Sequence, residues 1–423
     1  MLDIKRIRDN PEEVRQALLK RMDSCDFTEL LANDKKRREL IVESEKLRSE
    51  QNKVSAEIPR LKKEGKDVAE LLGRMKEVSA AFKDLEARLA SAEAAIQSFL
   101  EALPNIPDED VAAGGKENNR VLRSFGHQPE FAFQPKDHVE LVTKLGLVDY
   151  ERGTKLGGNG FWMYRGEGAK LEWALLSWFV EEHLKDGYEF ILPPHILNYE
   201  CGYTAGQFPK FNDDVFRLQT EDSKMQFLLP TAETALVNLY RNEILTEENL
   251  PKRLFAYTPC YRKEAGSYRT NERGMIRGHQ FNKIEMFQFT RPEDSPGALE
   301  QLIAKAERLV QGLGLHYQVS QLAAKDCSAA MVKTYDIEVW IPSMKEYKEV
   351  SSASNARDFQ ARRGNMRFKR KDSKNTEFIH TLNASGLATS RLVPAIVEQF
   401  QQPDGSVIVP EVLRKWVGKD FLK

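Results

Sequence analysis

The sequence predicts an α+β protein: a largely antiparallel sheet with flanking helices, preceded by an N-terminal antiparallel helical hairpin. Three observations lead there. Over residues 32–100 glycine is scarce and Leu, Glu, Lys, Arg and Ala dominate. Within that stretch apolar residues recur at helical spacing. Beyond about residue 130, short β-rich runs alternate with helical stretches. At 423 residues the chain has room for about two domains, and its 30% of charged residues exceeds the ~25% usual for a soluble domain.

The hairpin is the most regular element. Its second half carries Leu71, Met75, Val78, Phe82, Leu85, Leu89, Ala92, Ile96 and Phe99, with gaps alternating four and three. Its first half carries Leu40, Leu47, Val54 and Leu61, seven apart, with Ile58 in a weaker second row. The polar stretch 62–67, with Gly65, reads as the turn between two antiparallel helices. At ~1.5 Å per residue, each helix of about 30 residues spans roughly 45 Å. Pro59 predicts a kink or an early helix end near the tip, because proline removes one hydrogen bond and clashes with the preceding turn. The first helix holds a surplus of Lys and Arg, which taken alone reads as a solvated helix face.

Residues 104–127, punctuated by proline and glycine, read as a linker. The domains are therefore expected at 1–103 and 128–423. In the second, strands are expected at 190–192, 226–229, 284–289 and 337–341, and a helix at 171–184. Net charge is −1, so a nucleic-acid contact requires a local basic surface. Cys25, Cys201, Cys260 and Cys327 form no Cys-x-x-Cys pair and stand at no metal-ligand spacing with a histidine, so free thiols in a reducing cytosol are expected and zinc is not. The N-terminus has no signal-peptide apolar region and no apolar run approaches ~18 residues, which predicts a soluble cytoplasmic protein that does not enter membranes. Neither a Gly-x-Gly-x-x-Gly nor a Walker loop is present, so nucleotide binding needs another device.

The chemistry concentrates in Tyr261-Arg262-Lys263-Glu264, a polar run over 265–278, and His279-Gln280-Phe281-Asn282-Lys283-Ile284-Glu285. This reads as strand, loop, strand. Arg262 and Glu264 could be a plain cross-strand salt pair. A strand pair presenting Arg, Glu, Phe and Glu can also hold a nucleotide: guanidinium on phosphate, carboxylate on an amino group, aromatic ring on a base.

These segments resemble motif 2 of the class II aminoacyl-tRNA synthetases in its seryl form. Residues 173–194 resemble motif 1, the dimer interface of that class, and Leu382-Asn383-Ala384-Ser385-Gly386-Leu387-Ala388-Thr389-Ser390-Arg391 resembles motif 3. Thr231-Ala232-Glu233 and the stretch 349–363 are similar to seryl-specific segments. With the hairpin and the Leu103-Pro104-Asn105-Ile106-Pro107 run, the similarity to the bacterial type of seryl-tRNA synthetase covers essentially the whole chain.

The resemblance implies that ATP, with Mg²⁺, and serine are substrates. Arg262, Glu264 and Arg391 would form the catalytic group, with Arg262 on the α-phosphate and the serine carboxylate, and Arg391 on the γ-phosphate. Lys263, Phe281, Glu349, Val350, Ser351 and Ser352 would complete the ATP site, with Phe281 stacking on adenine and Glu349 and Ser352 ligating Mg²⁺. Thr231, Ala232, Glu233, Arg262, Glu285, Asn383 and Ser385 would hold serine without zinc. His279 is a candidate base, though a structural role in ordering the loop fits it better. The family role of the hairpin is to grip serine tRNA, selenocysteine tRNA being a second candidate substrate, here through Arg48, Lys53, Arg60 and Lys63. A homodimer is implied. Ala384 and Ser390 stand where many members have glycine, which bears on pocket geometry. The competing readings are an enzyme that passes the adenylate to another acceptor, and a non-enzymatic protein that keeps the fold.

Overall fold

The computed structural model describes residues 1–220, 224–264 and 274–423, so residues 265–273 of the polar run lie outside the described residues. It contains two compact units, residues 2–104 and residues 105–423 with Met1.

In the first unit, two short helices (Ile4–Asp9 and Pro11–Leu18) precede α1 (Thr28–Lys63) and α2 (Ala69–Ala102). Every position of the predicted seam is buried or half-buried. The two long helices run antiparallel: Gln51 bonds Ser79, whereas Ser55, further along α1, meets the earlier Met75. Asp34 is fully buried and is paired with Arg8, Arg37 and Arg38 at 3.0, 3.2 and 3.2 Å. The early helix end expected at Pro59 does not occur. α1 continues to Lys63, because one lost hydrogen bond is outweighed by seam packing at Val54 and Leu61 on either side. The helix stops instead at Gly65, whose φ of +70° suits a residue without a side chain.

The second unit is built on an eight-stranded sheet: β1 (Arg120–Phe125), β2 (Glu189–Ile191), β3 (Lys252–Tyr261), β4 (Gln280–Thr290), β5 (Tyr317–Gln321), β6 (Lys333–Ile341), β7 (Glu346–Arg357) and β8 (His380–Ala388). Their order is β1-β5-β6-β7-β8-β4-β3-β2. All pairs are antiparallel except β2 with β3. The helix expected at 171–184 is α3 (Gly166–Lys185). α4 (Ser295–Gly312) and α5 (Thr389–Gln399) pack on the central strands. Leu175, Phe179, Leu302, Leu309, Ile284, Met286, Ile337 and Leu382 belong to one apolar core.

The linker reading of 104–127 needs correcting. β1 lies inside that stretch as an edge strand of the sheet. Asn105 is also buried, donating to the carbonyls of Ala330 and Ala356 at 2.8 Å each. All six residues of β1 are exposed, so there was no inside-outside alternation to read. Among the described residues no helix is long and apolar enough to cross a membrane.

Candidate active site

The alternation of β4 builds one wall of a cleft. Ile284 and Met286 enter the apolar core, so Phe281, Lys283 and Glu285 emerge on the opposite face, and all three line the cleft. Two bulges then bring in residues that strict alternation would separate. Opposite Ile337 and Glu338 of β6, β7 carries the extra residue Val350, since Ser351 pairs with Ile337 and Glu349 with Glu338. Glu349 and Ser352 consequently share the cleft face despite an odd spacing. β8 gains a residue between Ser385, opposite Glu285, and Ala388, opposite Lys283. That shift delivers Ala388, Ser390 and Arg391 to the same cleft. The cleft has a volume of about 190 Å³.

At its polar end Glu285 is fully buried. One carboxylate oxygen accepts from Asn383 at 2.9 Å; the other meets Lys283 Nζ at 2.7 Å and the Ser385 hydroxyl at 3.4 Å. Lys283 also donates to Thr231 Oγ1 at 2.7 Å. Glu233 accepts from Gln360 at 2.8 Å and from Asn383 at 3.4 Å. The Gln360 amide is oriented by Thr381, which donates to its oxygen at 2.7 Å. Burial first, and then the nearby Glu285 charge, push the Glu233 carboxyl up to about 7.

At the other end the Arg262 guanidinium stands 5.2 Å from the centre of the Phe281 ring, and its Nε donates to the Pro230 carbonyl at 3.2 Å. Glu264 pairs with Arg277 at 3.0 Å. Arg391 donates to the backbone carbonyls of Ile276 and Glu349 at 3.1 and 2.8 Å, and its guanidinium lies 3.6 Å from the Glu349 carboxylate. Behind Glu349, Asp336 bonds Ser352; burial and then the Glu349 charge hold the Asp336 carboxyl well above the usual carboxylate range.

The structure thus brings together Thr231, Glu233, Arg262, Glu264, Phe281, Glu285, Glu349, Val350, Ser352, Asn383, Ser385 and Arg391. Three expected residues do not line the cleft. Ala232 is buried in an apolar cluster, and Ser351 is fully buried with its hydroxyl donating to the Ser385 carbonyl at 2.6 Å. Lys263 contributes a backbone N–H to the Asp214 carbonyl, with its side chain exposed. His279 bonds the Arg262 carbonyl through Nδ1 at 2.9 Å and packs against Phe161. Ala384 faces the apolar core, so its methyl does not narrow the cleft, whereas Ser390 lines it. Sequence reasoning gave no role to Lys283, Arg277, Ser328, Met331 and Ser354, which also line the cleft. Lys283 was recoverable: it alternates with Phe281 and Glu285 on one strand. Arg48, Lys53, Arg60 and Lys63 are all exposed on α1. Among the described residues no group of three or more His, Cys, Asp or Glu side chains could hold a metal ion by itself.

A large antiparallel sheet whose cleft sets an arginine and an aromatic ring beside a buried polar pocket defines a class II aminoacyl-tRNA synthetase. Residues 216–400 match the class II core domain of the G, H, P, S and T synthetases, and residues 1–107 match the seryl-tRNA synthetase N-terminal domain. The chain is 65% identical over 425 residues to serine--tRNA ligase 2 of Clostridium acetobutylicum, covering 100% of both chains. It is 47% identical over 425 residues to serine--tRNA ligase of Caldicellulosiruptor saccharolyticus, again covering 100% of both. Among solved structures it is similar to seryl-tRNA synthetase from Pyrococcus horikoshii complexed with ATP, with a TM-score of 0.92, 34% identity, and 100% and 99% of the two chains covered. The chain belongs to the seryl-tRNA synthetase family, and its activity is that of a serine--tRNA ligase.

Proposed function

We propose that the cleft binds ATP and L-serine side by side, joins them as seryl-adenylate, and then passes the seryl group to the 3′-terminal ribose of serine tRNA. The observation that carries this reading is the position of Arg262, whose guanidinium lies against Phe281 while its Nε is anchored on Pro230, next to Thr231 of the polar pocket. One cation there touches both reactants. Phe281 stacks on adenine, Glu264 accepts from the nucleotide, and Arg391 takes the γ-phosphate. The similar Pyrococcus horikoshii enzyme complexed with ATP supports the nucleotide assignment.

Serine occupies the polar end. Glu233 and Glu285 meet its ammonium, while Thr231, Asn383 and Ser385 surround its hydroxyl. Asn383 Oδ1 is buried with no hydrogen-bond partner among the described residues, which leaves an acceptor for the substrate. Such a pocket rejects alanine by leaving its own polar groups unpaired, and threonine by volume. The serine carboxylate attacks the α-phosphorus in line, and the bond to pyrophosphate breaks as the new P–O bond forms. Arg262 is oriented toward the charge that builds on the α-phosphate oxygens, so the barrier falls by positioning and electrostatics, without a protein nucleophile. A ribose hydroxyl then attacks the seryl carbonyl, and AMP leaves. Glu349 and Ser352 are an all-oxygen pair set on one face by the bulge, and they suit Mg²⁺, a hard ion that prefers oxygen and neutralises phosphate charge when bound.

A second chamber, lined by Gln207, Phe211, Asp214, Val215 and Pro230, shares Thr231, Arg262 and Glu264 with the cleft and supports entry of the tRNA end beside the adenylate. The basic arm residues grip tRNA phosphates, selenocysteine tRNA being a second candidate substrate. The enzyme works in the cytoplasm as a homodimer. Trp173, Leu184, Phe190, Leu192 and Ile196, all exposed apolar side chains in or beside the stretch resembling motif 1, support two-fold pairing. The test is serine-dependent pyrophosphate exchange followed by charging of purified serine tRNA, both expected. Exchange without charging would identify a different acceptor, and absence of both a non-enzymatic role. Sedimentation of a fully active monomer at micromolar concentration would refute the dimer.

A further inference from the structure

A buried carboxylate outside the cleft, one residue before the stretch that resembles motif 1, bonds to the stretches that resemble motifs 2 and 3. Glu172 lies on α3 and is 4% exposed. Its Oε1 accepts from Asn282 Nδ2 at 2.8 Å and from the Thr389 hydroxyl at 2.6 Å. Thr389 Oγ1 also stands 3.1 Å from the Asn282 carbonyl oxygen, which closes a triangle between α3, β4 and the first residue of α5. Asn282 is held from its other side by the Tyr257 hydroxyl, which donates to Oδ1 at 3.1 Å.

None of these four side chains lines the cleft, yet two of them, Asn282 and Thr389, stand beside residues that do. Asn282 follows Phe281 in β4, and Thr389 precedes Arg391 by two residues at the start of α5. The triangle therefore fixes the distance between the aromatic platform and the guanidinium that ends the nucleotide site. Burial pushes the Glu172 carboxyl up, against the hydrogen bonds from Thr389 and Asn282 that favour its charged form. A group kept buried at that cost has to be held by its partners, and here two of them, Asn282 and Thr389, lie on the elements that frame the cleft, with Tyr164 the third.

We propose that Glu172 is a positioning residue for ATP, locking β4 and α5 against α3 so that Phe281 and Arg391 are held at the spacing the nucleotide requires. The inference rests on the ATP roles given above to Phe281 and Arg391.

The test compares ATP and serine dependence of pyrophosphate exchange in the full-length enzyme. Glu172→Ala should raise the KM for ATP about tenfold, the size of a coupling carried through packed neighbours, and move the KM for serine less than twofold. Glu172→Gln keeps an oxygen to accept from Asn282 and Thr389 and should restore ATP affinity. Thr389→Val, which removes one donor while keeping volume, should show a smaller shift in the same direction; it stands in for Glu172→Ala if that variant does not fold. An unchanged KM for ATP in the folded variants, or equal shifts for ATP and serine, overturns the proposal. Arg391→Ala is measured alongside. If it leaves ATP use unaffected, the assignment of the nucleotide site has failed; if it impairs ATP use and the positioning variants do not, only the role of Glu172 has.

Discussion

The arm and the cleft specify function in opposite ways. In the arm, α1 and α2 obey one repeat over their whole length, and exposed positions such as Arg48, Lys53, Arg60 and Lys63 are set by the same repeat that buries Leu40, Val54, Val78 and Leu85. In the cleft, several of the lining side chains sit where the repeat is broken, at the bulges that turn Glu349 and Ser352, and then Arg391, toward one space. A regular element spreads its chemistry over many interchangeable groups, whereas an irregular one concentrates it in single atoms. Losses should therefore be abrupt in the cleft and graded in the arm.

The largest effect is expected from Arg262→Ala, since one guanidinium is proposed to serve both substrates. Pyrophosphate exchange should lose about 3–4 kcal/mol of transition-state stabilisation, roughly 10²–10³-fold in kcat/KM, the scale of removing an oriented donor from a developing charge. Wild-type-like exchange would erase the contrast between the regions.

Replacing Arg48, Lys53, Arg60 and Lys63 together by glutamate should leave the seam and exchange intact and abolish most charging at physiological salt. Each lost phosphate contact should flatten the salt dependence of tRNA binding by up to about one unit of log–log slope. Single replacements should each cost far less. If the quadruple variant charges tRNA with an unchanged slope, these residues are only a solvated face.

A smaller effect comes from pH. The Glu233 carboxyl titrates at about 7, and a bound ammonium favours its ionised form. The KM for serine should therefore rise about tenfold as pH falls from roughly 8 to 6, which follows from one proton competing with the ligand. The Glu233→Gln variant should show a flat profile over that window. The sign for the unliganded protein is opposite: with its folded value raised above the ordinary carboxylate range, Glu233 contributes stability below that range and loses it as pH rises through about 7. Thermal unfolding with and without serine would detect both trends.

The smallest effect is assigned to Ala384→Gly. Ala384 is fully buried in the apolar core, opposite Met286 and Ala353. Losing its methyl should lower stability by about 1 kcal/mol and leave both KM values within about twofold, because a strand glycine is costly and the cleft lies on the other face. A marked improvement in serine KM would mean that the residue narrows the pocket after all.

How much was legible can be judged residue by residue. The seam from Leu71 to Phe99 and the face shared by Phe281 and Glu285 were readable because burial repeats at the period of the element. β1 was not, because an exposed edge strand leaves no apolar alternation. Ser351 was placed among the ATP residues by its neighbours in the motif, but Val350 is the bulge residue and Ser351 points to the Ser385 carbonyl instead. Lys263 illustrates the same limit: it sits between two cleft residues just past the end of β3, its backbone N–H is taken by the Asp214 carbonyl, and its side chain is exposed.

The sequence by itself determined the hairpin, the α+β body, the family and the chemical types of the site, since periodicity and motif order are properties of the chain. Only the tertiary structure decided that α1 runs through Pro59, that residues 120–125 extend the sheet, and which side of each bulge faces the cleft. The same holds for the closure of Glu172, Asn282 and Thr389 into one buried triangle, residues separated by up to 217 positions. Hydrogen bonds between distant segments depend on packing and register, and neither leaves a local signature in the sequence.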